Sequence, residues 1–420
     1  MSTTNPFHFA RNRSTWLTPV VLIAGLAVLF PAIYLSATVD PAGNLDGLPV
    51  GLVVTTQSAP DGQDAESIAD AIAADAPPSL AIERLTPAEL SDRMADDSIA
   101  GAIVIPSDFN ESISSLLPGA GQAPTTPTIE IRTNAGDGGI SNGLLNGTVT
   151  PLLTEVEQQF GASLVGATTE AGASLSAAEQ LVLSTPFDIR SIAFTPLPAN
   201  AGLGTSAFYY SLILVLLGFV GASVINPFVD SALGFAPSEL GPLVARRPYL
   251  ALSRLHTLLV KFGVIVATAP LAALLVAVVA GPLIGVPISD PVQLWLFSSA
   301  AIAAIGVSAL TVFAIFGGGI GSLVNTLFFI ALSMTSSGGT VPLAATPAFF
   351  RWASTFEPFH AVLAGVRSIL YFDANPAAGL SEAWIRVAIG AAFGLSLGVI
   401  ATTLYARKRM FTRHPRPATA

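Results

Sequence analysis

The chain has no cysteine in its 420 residues, which excludes a disulfide framework and any thiolate metal site. It has two lysines, Lys261 and Lys408, preceded by Val260 and Arg407. A phosphate-binding P-loop needs Gly-Lys-Ser/Thr so that the lysine reaches the phosphates, so no ATPase of that kind lies within this sequence. Four scattered histidines supply no metal site, and nothing points to a cofactor. Charge is scarce: 11% of residues are Asp, Glu, Lys or Arg against 52% hydrophobic, too little polar surface to cover a soluble globule of this length. The composition is that of an integral membrane protein.

The charge that is present is unevenly placed. Between Ala37 and Thr205 there are 21 acidic residues and four arginines, a balance of −17, while the rest of the chain carries 14 basic and six acidic residues, a balance of +8. An acidic insert therefore interrupts a basic membrane protein, and its surface is unsuited to nucleic acid or anionic lipid. The basic residues cluster at Arg11 and Arg13, at Arg246, Arg247, Arg254 and Lys261, and at Arg407, Lys408, Arg409, Arg413 and Arg416.

Apolar runs at Leu17–Leu35, Ala207–Ile225, Phe262–Val286 and Val387–Tyr405 are each long enough to span a bilayer. The first is too long for the core of a signal peptide and lacks a clear cleavage site, so it reads as an uncleaved anchor. The 43 residues Val292–Met334 would form one helix of roughly 65 Å, which is two crossings, broken at Gly317-Gly318-Gly319. The expectation is six spans. All three basic clusters then share a side, which the positive-inside rule makes cytoplasmic, so both termini are inside.

Within the insert, LPVGLVV (48–54), LAIERL (80–85), IAGAIVIP (99–106) and TIEIR (128–132) have strand length, with helical patterns at Ala65–Ala74 and Pro87–Ala95 between the first three. The order βαβαβ favours parallel pairing. Apolar residues three or four apart from Thr150 to Leu183 predict a helix, weakened at Gly161, Gly166 and Gly172.

LPVGLVV, IAGAIVIPSDFNESISSL and PTIEIRTN, followed by TPLPANAGLGTSAFYYSLILVLLGFVGA, resemble the extracytoplasmic module of the phage-infection-protein (Pip/YhgE) family and its return into the membrane. GGTVP with TPAFFRWASTFEPFHAVLAGVRSILY is similar to that family's segment before the last span. The resemblance implies a place in the superfamily of type-2 ABC exporter membrane subunits: a polytopic α-helical membrane protein of six spans with an α/β extracytoplasmic domain between spans one and two. It implies a homo- or heterodimer, a separate ATPase subunit as partner, and a bacterial plasma membrane as location. Longer members carry a large coiled stalk for which this insert has no room.

On this reading residues 1–36 hold the cytoplasmic N-terminus and first span, and 37–205 the acidic domain with its long helix. Residues 206–406 hold five spans, with a cytoplasmic loop at 226–261 and an external re-entrant segment at 338–383; 407–420 is a basic cytoplasmic tail. The loop has a short helical pattern from Pro237-Ser238-Glu239-Leu240. In the resembled exporters this loop docks the ATPase, which makes Glu239, Arg246, Arg247 and Arg254 the coupling candidates. Anchoring of arginines at lipid headgroups is the competing reading.

In the external segment, prolines at 342, 347 and 358 forbid one long helix, and Phe349, Phe350, Trp352, Phe356 and Phe359 suit the membrane interface. Arg351, Glu357, His360 and Arg367 are candidates for an external gate or cargo contact. The plainer expectation is that Glu357 and Arg367 satisfy each other or the membrane interface. Gly139-Ile140-Ser141-Asn142-Gly143 matches a hydrolase nucleophile elbow, but the insert has no histidine, and a catalytic triad would have to borrow His360. A loop leading into the long helix is the simpler account. Asn134, Asp137 and Asn142 follow no calcium-loop spacing. The function expected is the permease subunit of an exporter moving an envelope or hydrophobic cargo outward; the alternative is a surface receptor or an accessory of a secretion or envelope system.

Overall fold

The computed structural model describes residues 13–55, 63–121, 123–240, 243–245 and 247–407. After an N-terminal apolar helix, α1 (Arg13–Thr38), the chain enters an α/β domain. Its strands are the β-branched runs of the sequence: β1 (Leu48–Val54), β2 (Leu80–Arg84), β3 (Gly101–Ile105) and β4 (Thr128–Thr133), joined by β5 (Asp188–Ala193) in the order β2-β1-β3-β4-β5. β1 runs parallel to β2 and β3, β4 runs antiparallel to β3, and β5 runs parallel to β4. The expected parallel pairing holds for the first three strands.

Strands β1 and β3 are buried on both faces, which is why they read as continuous apolar runs. On one face Val50, Leu52, Ile103 and Ile105 pack with α2 (Gln63–Ala74), α4 (Phe109–Leu116) and α5 (Gly139–Glu170). On the other, Val53, Ala102 and Val104 meet Leu90 and Met94 of α3 (Pro87–Ala95). Strand β4 alternates: Ile129 and Ile131 enter the core, while Glu130 and Arg132 pair on the opposite face at 2.9 Å. The GISNG stretch is the first turn of α5 rather than a loop before it. Of the three glycines expected to weaken this helix only Gly172, at φ +84°, ends it, and α6 (Ala177–Ser184) follows on a Ser176/Glu179 capping box.

Four helical segments beyond the domain are long and apolar enough to cross a membrane, by length and composition: Gly202–Ala232, Arg254–Leu283, Pro291–Thr335 and Pro376–Arg407. They contain α7 (Thr205–Ala232), α8 (Arg254–Val278), α9 (Pro291–Asn325) and α12 (Ser381–Arg407). Ile23–Thr38 of α1 is a shorter apolar helix. Over its most apolar stretch the third segment is more buried than the other three, so α9 is the central pillar of the bundle. Helices cross it closely: a Cβ on Gly218 of α7 would stand 2.8 Å from Ile305 of α9.

The third segment also turns back on itself. At Gly317, φ +77° and ψ −180° break the helix, a conformation that suits glycine. Asn325 Nδ2 then donates to Ala309 O at 3.1 Å, a pair that a straight helix would hold ~24 Å apart. The glycine break expected from the sequence is there.

Between α7 and α8 the sequence expectation needs correction. The helices extend to Ala232 and from Arg254, so Asn226, Asp230, Arg254 and Lys261 stand on helices and the connection is shorter than 226–261. The helical pattern expected from Pro237 is instead a small hairpin, β6 (Ser238–Leu240) with β7 (Leu243–Ala245).

The segment after the α9 return folds into two short helices, α10 (Ala348–Ser354) and α11 (Pro358–Tyr371), and it is docked against the α/β domain. Val341 and Ala345 are members of that domain's core, Ala344 O accepts from Asp46 N at 3.0 Å, and Asn375 Nδ2 donates to Ala95 O at 3.2 Å. Phe349, Trp352 and Phe356 are exposed as expected of an interface belt, whereas Phe350 and Phe359 are buried, the latter stacked on Phe208 at 5.3 Å. The segment is thus a joint between domain and bundle.

Candidate functional site

Two clusters of ionisable side chains stand at opposite ends of the bundle. The first is at the joint. Asp97 follows α3 with φ +58°, and Asp137 closes a 3-10 turn, Ala135–Asp137, after β4. These two turns bring the carboxyl groups close enough for each to influence the other's protonation, and Asn134 Nδ2 donates to Asp97 Oδ1 at 2.8 Å. From α11, Arg367 Nη2 donates to Asp137 O at 3.1 Å, and Nη1 lies 3.8 Å from Asp137 Oδ1. Burial pushes both carboxyls up. Asp97 is raised furthest, by burial first and then by the neighbouring Asp137 charge, with Arg367 acting the other way. Asp97 is therefore the more readily protonated of the two. Arg367 Nε is buried with no hydrogen-bond partner among the described residues.

These groups line a cavity of about 240 Å³ between domain and bundle, together with Ser141 and His360. The fold thus brings Ser141 and His360 to one cavity. His360 Nδ1 is 2.9 Å from Ser337 O and so donates there, burial lowers its pKa towards the neutral imidazole, and no hydrogen bond joins it to Ser141 among the described residues. The arrangement is not a charge-relay triad.

Glu357 and Arg367 do not satisfy each other. Glu357 caps α11, accepting from the Phe359 and His360 amides at 2.6 and 2.7 Å. It is 2% exposed, and burial pushes its pKa up to about 8. Its two amide partners, Ser333 and the more distant Arg386 oppose that rise. Arg351 reaches Asp46, on the stretch leading into β1, at 3.2 Å, and Thr346 O at 2.9 Å. Of the four residues expected at an external gate, His360 and Arg367 share the joint cavity, Arg351 ties the joint to the domain, and Glu357 holds a helix start.

The second cluster is at the far end of the bundle. Lys261 on α8, only 5% exposed, places Nζ 2.9 Å from Asp230 Oδ1 and 2.6 Å from Asn226 Oδ1, both on α7. Arg254, on the first turn of α8, lies over the Tyr405 ring of α12 at 6.0 Å. A cavity of about 340 Å³ opens among these side chains, Phe313 and the turn at Gly317. Of the coupling candidates, Arg254 belongs to this cavity and Arg247 is exposed on the connection to α8. Glu239 has its backbone in β6 but its side chain outside the described residues, where Arg246 also lies.

Sequence reasoning missed the Lys261–Asp230 pair and the Asp97–Asp137–Arg367 cluster. The first had a signal: one of only two lysines sits where an apolar run begins, one helix away from an isolated aspartate. The second had none, since its members are 40 and 230 residues apart.

A family model described as a protein of unknown function, DUF3533, matches residues 20–390. No curated protein and no solved structure matches the chain.

Proposed function

The chain belongs to the DUF3533 family of unknown function, and on that footing we propose that it is the membrane subunit of an ABC-2-type exporter, acting as a dimer with a separate ATPase. The observation that carries the reading is the buried Lys261–Asp230–Asn226 cluster beside a cavity inside the bundle. Ionisable groups held within a membrane bundle mark a pathway or a moving part.

Dividing the third apolar segment at Gly317 and counting α1 gives six crossings with both termini on one side. The basic residues of the α7–α8 connection fall on that side, which the charge bias makes cytoplasmic, and the α/β domain is then extracytoplasmic. An ATPase docked at the β6–β7 connection would push on the ends of α7 and α8, where Asp230 and Lys261 join them. Central α9 would carry the displacement to the joint, where Arg351 and Arg367 hold the domain that receives cargo. Arg351, Glu357, His360 and Arg367 then serve as the external contact region, and Glu239, Arg246, Arg247 and Arg254 as the docking region.

A receptor or envelope accessory is the second reading, favoured by Leu181 and Val182, 68% and 41% exposed on α6. Copurification from mild detergent separates the two. An ATPase retained by the wild type and lost in Arg247→Glu supports the exporter; envelope components in place of any ATPase support the receptor.

A further inference from the structure

We propose that strand β5 is a docking edge for a second copy of this chain, and that two copies pair antiparallel about a two-fold axis at Ile189. The inference deepens the dimer of the reading above and rests on that reading for the presence of two copies, not for an ATPase. The five-stranded sheet ends at β2 on one side and at β5 on the other. At the β2 edge the charged side chains are engaged within the domain: Arg84 pairs with Glu66 and Asp70, and Glu83 pairs with Arg93. At β5 they are not. Arg132 holds Glu130 at 2.9 Å, which leaves Arg190, the register partner of Glu130, as the one arginine of the acidic insert with no ion pair among the described residues. Asp188 forms none there either, and the charge it does reach is of like sign: the pKa of Glu157 is raised by burial first and then by Asp188.

The backbone of β5 is open to a further strand. Asp188 N–H donates to Pro127 O at 2.8 Å and Phe194 N–H to Thr133 O at 3.0 Å, so the even-numbered residues turn their amides to β4. Strand alternation then points the N–H and C=O of Ile189, Ser191 and Ala193 away from the sheet. No proline, glycine or bulge shields this edge, and Asp188, Arg190, Ser191 and Ala193 are exposed on it. Charge of one sign on an edge repels a copy of itself, but Asp188 and Arg190 are of opposite sign on one face. An antiparallel mate centred on Ile189 sets Ile189 against Ile189, each donating its N–H and accepting at its C=O. The same register sets Asp188 of each copy directly opposite Arg190 of the other, in the position between hydrogen-bonded pairs where side chains come closest. A centre at Arg190 would instead oppose two arginines. Just ahead of the strand, Leu181 and Val182 of α6 add exposed apolar surface.

The test uses the full chain in its membrane, where the absence of cysteine gives a clean background. Under mild oxidation Ile189→Cys should form a disulfide-linked dimer, since the paired Cα atoms would lie ~5.5 Å apart. Ala193→Cys, whose mate in this register would lie roughly 27 Å away along the strands, should not link, and neither should Ala81→Cys, exposed on the β2 edge. In the Ile189→Cys background, Asp188→Arg and Arg190→Asp should each weaken self-association by about fivefold or more, because each sets like charges opposite at two positions. Combining the two exchanges should restore linkage, a recovery that misfolding of either single variant cannot imitate. Efficient linkage at Ala193→Cys, a different protein linked to Ile189→Cys in place of a second copy, no Ile189→Cys linkage in a chain that is dimeric by mass in neutral detergent, or no recovery in the combined exchange overturns this interface and leaves the exporter reading standing. A chain that is monomeric by mass overturns the interface together with the dimer of that reading.

Discussion

The two ends of the bundle each hold a cluster of ionisable groups, and the two are built differently. At the joint two carboxyls face one arginine, Asp97, Asp137 and Arg367, and burial raises the pKa of both carboxyls, Asp97 furthest. At the far end Lys261 pairs with Asp230 at 2.9 Å across α7 and α8, and Arg254 lies over the Tyr405 ring, beside an open cavity. An excess that a proton can cancel makes a fastening between parts of the chain.

The sharpest way to break this comparison is at the far end. Lys261→Ala leaves Asp230 as an unpaired, mostly buried carboxylate and should destabilise the chain by about 3–5 kcal/mol, read as a fall in thermal unfolding temperature in detergent. Adding Asp230→Leu should recover most of that loss, because an apolar pair of similar size needs no desolvation. At the joint, Arg367→Ala should cost about 1.5–3 kcal/mol and speed hydrogen exchange at Ala135–Asp137, with the bundle helices unaffected.

The pH dependence of the joint has a definite sign. Glu357 is raised from its ordinary 4.5 to about 8, so its contribution is complete below 4.5 and is lost as pH rises through about 8. Asp97, raised in the same sense, adds a loss that also proceeds with rising pH. Exchange protection of α11 should thus fall between pH 5 and 8 in the wild type. Glu357→Gln should flatten that fall, and Asp97→Asn should remove a further part of it. The smallest effect is expected for Ser141→Ala, below about 1 kcal/mol in stability and absent in function, since among the described residues no hydrogen bond joins Ser141 to His360, whose Nδ1 is bound to Ser337 O.

How far the sequence disclosed this architecture follows from the range of the interactions involved. Strands β1 to β4 were legible because β-branched runs declare themselves locally, and β4 even showed its two faces as TIEIRT. Strand β5 was not: DIRSIA is largely exposed and carries two charges, so nothing in it signals a strand until β4 is beside it. The reversal of α9 was legible in three consecutive glycines. The joint was not, because Asp97, Asp137 and Arg367 acquire their chemistry only from one another, and Glu357 looked like a partner for Arg367 until its place at the start of α11 gave it two amides to accept from. The α7–α8 connection was misread as helical at Pro237 because Ser238 and Glu239 mimic a helix start, whereas the chain there closes a two-strand hairpin.

The claim on which all else depends is that these two ends lie on opposite sides of a bilayer. The native chain has no cysteine, so single cysteines can be placed without background at Glu170, exposed at the end of α5, and at Arg247, exposed on the α7–α8 connection. In intact cells a membrane-impermeant maleimide should label Glu170→Cys at once and Arg247→Cys only after permeabilisation. Labelling of both without permeabilisation, or the reverse order, would contradict the account.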